Sequence, residues 1–125
     1  MILDTNALSA FVDGDRAVGD ILRTQFRAVI PVIVLGEFLY GITGSRHRTH
    51  YARWLNQNLP RFETLNVTAD TATAYATIRA ALKRAGTPIP ANDLWIAALA
   101  VEQELPVLSR NTHFDAVTSL QRVTW

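Results

Sequence analysis

The feature that most constrains this chain is an alternation. Five short runs, Met1 to Leu3, "AVIPV", "FETLNV", "PVLSR" and "LQRVTW", are separated by stretches whose apolar residues recur at helical spacing. A strand, a crossover helix and a second strand lay their strands parallel and put the helix against a sheet face. The expected fold class is therefore α/β, a mostly parallel central sheet flanked by helices on both faces in three layers. "DLWIAALAVEQE" is apolar on nearly every side, which predicts a helix buried between neighbours. "ADTATAYATIRAALKRAG" is an Ala-rich helix ending at Gly86, where a left-handed C-cap suits glycine. In "DRAVGDILRTQF", the spacing of Val18, Ile21, Leu22 and Phe26 predicts one apolar helix face. With 125 residues and no repeat or low-complexity tract, residues 1–125 are expected to form a single domain that buries about two-thirds of its unfolded surface.

This architecture indicates where chemistry belongs. In open parallel sheets ligands gather outside the carboxyl ends of the strands, and Asp4 stands just past the first. An aspartate there also caps the helix that follows, so Asp4 alone leaves both roles open. Glu37 lies within "VLGEFLYG", where an unpaired carboxylate is costly to bury unless it reaches solvent or an arginine. Asp93 opens the most apolar helix, directly after "PIPAN", where the helix dipole favours a negative charge and Asn92 is placed to cap. "SRNTHFD", past the fourth strand, offers Ser109, Asn111 and Asp115. Carboxylates brought to one place repel one another unless a cation neutralises them. The chain has no cysteine, and no histidine stands at zinc-ligand spacing. Oxygen donors alone point to a hard ion, Mg²⁺ with Mn²⁺ as a substitute, and to phosphoryl transfer as its chemistry.

Four segments, "ILDTN", "GEFLYG", "ANDLWIAALA" and "LSRNTHFD", resemble in order and spacing the signature segments of PIN-domain ribonucleases, and more narrowly the VapC toxins of bacterial toxin–antitoxin pairs. The resemblance covers essentially the whole chain. It implies a PIN-like fold and a metal-dependent endoribonuclease that cuts single-stranded or loop RNA, leaving 5′-phosphate and 3′-hydroxyl ends. Carried over by motif, Asp4, Glu37 and Asp93 match the acidic metal-site residues. Thr5 and Asn6 match the polar pair that steadies the first aspartate, and Ser109 matches the hydroxyl residue past the last motif's strand. Many relatives carry an aspartate two residues beyond that hydroxyl; this chain has Asn111, with Asp115 as the acidic residue after the phenylalanine. Asn111 and Asp115 join the candidate catalytic set on that basis, and the number of ions is left open between one and two. The general base is either Asp93 or Glu37. A cognate antitoxin and a homodimer are also implied. The first strand has only three residues before Asp4, fewer than the resemblance leads one to expect, so an upstream start stays open.

Net charge identifies no partner, since 12 Lys and Arg stand against 11 Asp and Glu. Eleven of those bases are arginine, and "GSRHRTHYARW" concentrates Arg46, Arg48 and Arg53 after the Glu37 helix. That stretch has three readings: an RNA-binding rim, in which arginine pairs with phosphate, a solvated helix face with Tyr51, Trp54 and Leu55 turned to the core, or, as the resemblance implies, a contact with the antitoxin. His113 lies near the presumed site, where it could touch phosphate, and reads foremost as a loop residue packing beside Phe114. The absence of cysteine fits a reducing compartment, and the longest apolar run falls far short of the roughly 20 residues a membrane helix needs. A cytoplasmic protein with no membrane association is expected. Two rivals to the nuclease stand: another Mg²⁺-dependent phosphohydrolase, against which Asp4 lacks a second aspartate two residues on, and a binding module with little or no catalysis, against which all three acidic positions are filled.

Overall fold

The computed structural model describes all residues from Met1 to Trp125. Five strands, β1 (Ile2–Leu3), β2 (Val29–Pro31), β3 (Glu63–Leu65), β4 (Val107–Leu108) and β5 (Arg122–Val123), form one sheet in the order β3-β2-β1-β4-β5, and every pairing is parallel. Six α-helices connect and cover it: α1 (Thr5–Val12), α2 (Arg16–Arg23), α3 (Val32–Thr43), α4 (Arg48–Asn58), α5 (Ala69–Ala85) and α6 (Ala91–Gln103). The expected α/β class with a parallel sheet is the observed one. No helix is long and apolar enough to cross a membrane.

The strands are short, but the central ones are fully buried. Ile2, Leu3, Val29, Ile30, Val107 and Leu108 have no exposed surface, as the continuous apolar runs of parallel strands covered on both faces require. In α6, Ile96 through Ala100 are all buried, and it packs chiefly along α5. Helix ends follow the local chemistry. Gly86 closes α5 in the left-handed region at φ 70°, a conformation that costs residues with a Cβ. Asp15 caps α2 through bonds to the N–H groups of Ala17 and Val18.

One helix face is shorter than its spacing indicates. α2 stops at Arg23, so Phe26 falls beyond it and is fully exposed rather than joining Val18, Ile21 and Leu22. Thr24 ends the helix with its hydroxyl bonded back to the Ile21 carbonyl, a local competition that serine and threonine side chains offer at helix termini. On α4, Leu55 is buried while Tyr51 and Trp54 pack against the core from its edge. The solvated-face reading of this helix therefore describes its packing.

Candidate active site

Three strands ending at one edge create the site. β1 is central in the sheet, so residues just past it meet those just past β2 and β4. Asp4 follows β1 and serves as the N-cap of α1, its Oδ1 accepting from the Thr5 N–H at 2.8 Å. Only 3% of Asp4 is exposed, so its second oxygen needs donors. Ser109 Oγ supplies one at 2.6 Å and Asn6 Nδ2 another at 2.8 Å. Ser109 is itself fully buried, and its Oγ accepts from the Asn111 N–H at 2.9 Å. One carboxylate oxygen of Asp4 thus caps the helix, and the other is held by side chains from α1 and the end of β4.

Glu37 comes in on α3, the helix that follows β2. Its Oε2 accepts from the Thr5 hydroxyl, and its Oε1 accepts from Asn92 Nδ2 at 2.8 Å. Two sequence expectations change here. Thr5 steadies Asp4 only through its backbone, while its side chain holds Glu37. Asn92 does not cap α6, whose N-cap is Pro90; placed one residue inside the helix, its side chain reaches across to α3. Asp93, with 13% of its side chain exposed, takes two contacts on Oδ2: Asn111 Nδ2 at 3.0 Å and His113 Nδ1 at 2.8 Å, the latter donating when the proton is on Nδ1. Asp93 Oδ1 is left as the one carboxylate oxygen of the trio that accepts no bond from the protein.

The contacts of Asn92 and His113 are what sequence reasoning missed. Read foremost as a loop residue beside Phe114, His113 instead braces Asp93. Its position two residues after Asn111 was the only available signal, because the short 3₁₀ turn at Thr112–Ala116 that aims it at α6 has no strong sequence mark. Asn111 stands where expected, donating to Asp93, and its Oδ1 caps that turn at the His113 N–H. Asp115 lies elsewhere. Both its oxygens are taken by Arg122, at 2.7 and 2.9 Å, and that guanidinium holds its carboxyl below the ordinary range. Arg48 and Arg53 line a separate groove with Leu39, Thr43 and Ala52. The groove that includes Thr5 and Glu37 instead runs past Gly41 and Ser45 to Tyr51, and Arg46 follows Ser45 in the chain without lining it. The α4 arginines follow a helix whose apolar side turns inward, which directs them away from the strand ends.

Burial pushes the Asp4 carboxyl above its ordinary range, and the charges of Asp93 and Glu37 push the same way, against the hydrogen bonds from Ser109 and Thr5. As placed, no three acidic or imidazole groups stand at metal-ligand spacing. Each of the three is instead engaged by its own hydrogen-bond partners. The donor set still fits a hard divalent cation. It is all-carboxylate at the centre, its members feel one another's charge, and a cation would relieve the penalty on Asp4. Asp4, Glu37 and Asp93 are the residues that would hold it.

Comparison with known proteins agrees with this arrangement. The PIN domain family matches residues 1–120. The chain is 31% identical to ribonuclease VapC5 of Mycobacterium tuberculosis over 118 residues, which cover 93% of this chain and 86% of the relative. Its fold is similar to that of VapBC2 from Rickettsia felis, solved bound to a promoter DNA fragment, with a TM-score of 0.89 and 25% identity across 99% of this chain and 97% of that one. DNA-bound VapBC from Salmonella typhimurium gives a TM-score of 0.87 and 26% identity, covering 99% of this chain and 96% of its own. With the family model spanning nearly the whole chain and a ribonuclease relative at 31% identity, the chain belongs to the PIN domain family, among its VapC ribonucleases.

Proposed function

We propose that this protein is the toxin of a type II toxin–antitoxin pair, a metal-dependent endoribonuclease that hydrolyses RNA phosphodiester bonds at the cluster of Asp4, Glu37 and Asp93. The observation that carries this reading is the convergence of those carboxylates at the carboxyl edge of β1, held by Thr5, Asn6, Asn92, Ser109, Asn111 and His113. Mg²⁺, or Mn²⁺ in its place, would there lower the pKa of water and offset charge on the phosphate.

The remaining work falls to the chain itself. Asp4, desolvated and bonded on both oxygens, is a fixed anionic anchor. Glu37 is likewise engaged on both oxygens. Asp93 keeps Oδ1 free while Asn111 and His113 fix its plane, so Asp93 is better placed than Glu37 to take a proton from the attacking water. Ser109 and Thr5 favour the ionised form of the first aspartate against its burial, and with Asn6 they fix its orientation, as outer-shell donors do around a metal site.

The antitoxin assignment rests on the two VapBC neighbours, both solved bound to DNA. A homodimer and a cytoplasmic location, where RNA substrate and antitoxin meet the toxin, complete the reading. Its test is cleavage of total cellular RNA by purified protein with Mg²⁺, with Mn²⁺ and with EDTA, alongside Asp93→Asn. Cutting at discrete sites that EDTA and the variant abolish is the expected outcome. RNA binding without cutting under either metal would replace the nuclease by a binding module.

A further inference from the structure

Among the arginines of this protein, Arg110 is set apart. Arg23, Arg27 and Arg122 are each paired with a carboxylate, and Arg79 donates to the Tyr75 hydroxyl. Arg110 is exposed, and no carboxylate pairs with it, although it sits between two residues of the acidic site. On one side Ser109 bonds Asp4; on the other Asn111 bonds Asp93; and the Arg110 N–H donates to Asn6 Oδ1 at 3.1 Å. Its backbone is therefore fixed to the site by its own bond and by both neighbours.

Its side chain is held by an aromatic plane. The guanidinium carbon lies 4.4 Å from the centroid of the Trp125 ring, a cation–π distance. Trp125 follows β5, which pairs in parallel with β4, so both residues emerge at the carboxyl edge that also carries Asp4. Trp125 packs against the core, which makes it a firm support rather than a second mobile group.

We propose that Arg110, laid flat on Trp125, is a substrate-positioning residue that binds a backbone phosphate of single-stranded RNA beside the scissile bond. The inference rests on the nuclease reading above. An anionic strand approaching three carboxylates is repelled, and a cation on the rim offsets that repulsion where it acts. The planar guanidinium fork matches phosphate bidentately, a geometry lysine lacks. Stacking on the indole orders the fork before substrate arrives, which removes part of the entropy cost of ordering a long side chain on binding. Arg122, the other cation at this edge, donates to the Ser109 carbonyl oxygen at 3.1 Å but is paired with Asp115, so Arg110 is the one there that no carboxylate neutralises.

The test uses a fluorescent single-stranded oligoribonucleotide with wild type, Arg110→Ala, Arg110→Lys, Trp125→Leu and Trp125→Phe. Cleavage in Mg²⁺ gives KM and kcat; anisotropy in EDTA across a salt series gives binding and its salt slope. Arg110→Ala is expected to raise KM about tenfold, the loss of one charge-assisted contact, with kcat little changed. Its salt slope should fall by about 0.7, one phosphate on a single strand. Arg110→Lys restores the slope but not the whole affinity. Trp125→Leu follows Arg110→Ala, and Trp125→Phe stays near wild type. Unchanged KM and salt slope in Arg110→Ala, with only a lowered Tm, would overturn the proposal and make the stack purely structural. If the wild type cleaves nothing yet its binding slope still depends on Arg110, the nuclease reading falls and the phosphate contact stands.

Discussion

Removing the hydroxyl of Ser109 is the sharpest probe of how this acidic site is tolerated. Ser109→Ala deletes one oxygen that donates to Asp4 Oδ2 at 2.6 Å and accepts from the Asn111 N–H at 2.9 Å and from Asn6 Nδ2 at 3.2 Å. The site is fully buried, so water does not replace it. A charge-assisted bond contributes about 1.5–3 kcal/mol and an orphaned amide costs about 1 more, giving an expected loss of ~3 kcal/mol. The loss also depends on pH, with a sign fixed by Asp4. Burial, with the charges of Asp93 and Glu37, raises its folded carboxyl above the ordinary value, so Asp4 favours the fold when protonated and this contribution is lost as pH rises through its folded pKa. The Ser109 bond opposes that rise by favouring the charged form. Without it the Asp4 carboxyl moves further up, so the difference between variant and wild type grows as pH rises from the ordinary carboxylate range through the folded pKa. Urea denaturation of metal-free protein followed by circular dichroism, at one pH in that range and one above the folded pKa, measures this. A difference below about 0.5 kcal/mol, or one equal at both pH values, would refute the view that Ser109 stabilises a buried charge.

Three further outcomes follow from the same geometry. Asn111→Asp replaces a donor to Asp93 with a fourth carboxylate, so the metal-free protein should lose about 1 kcal/mol while Mn²⁺ binds more tightly or in greater number by calorimetric titration; weaker binding would show that position 111 lies outside the metal's reach. Asp115→Asn breaks the exposed pair with Arg122 and should leave Tm little changed, with cleavage within about twofold of wild type; loss of cleavage would return Asp115 to the machinery. Gly86→Ala meets no atom within 4 Å but holds φ at 70°, so thermal melts should show a loss of about 1–2 kcal/mol with cleavage intact, and an unchanged Tm would mean that the cap relaxes.

The fold could be read from the sequence because periodicity carries it. All five strand runs became strands, and the nearly all-apolar "DLWIAALAVEQE" became the buried α6, since burial of apolar residues on opposite faces leaves little choice. Phe26 escaped because periodicity continues past a helix that Thr24 has already closed. The acidic trio was legible from charge in apolar surroundings: Glu37 and Asp93 each demanded a partner. The partners were not legible. Whether Asn92 caps its own helix or reaches Glu37, and whether His113 packs on Phe114 or braces Asp93, turns on the angle at which α6 meets α3 and the 3₁₀ turn. That angle is a tertiary property that no local pattern states.

The arrangement also explains why so many uncharged polar groups surround so few acids. Asp4 sits at the end of the central strand, where the core is driest, and a carboxylate there opposes folding when ionised. An arginine would neutralise it, but a tightly paired guanidinium would occupy the position a cation and a phosphate must share. Hydroxyl, amide and backbone donors do something different: each lowers the cost of one negative oxygen without removing the charge. Thr5, Asn6 and Ser109 do this for Asp4, Thr5 and Asn92 for Glu37, and Asn111 and His113 for Asp93, while Arg110 is turned onto Trp125 instead of onto the acids. The negative field is thereby kept, at a cost to the metal-free fold, for a ligand that the protein itself does not supply.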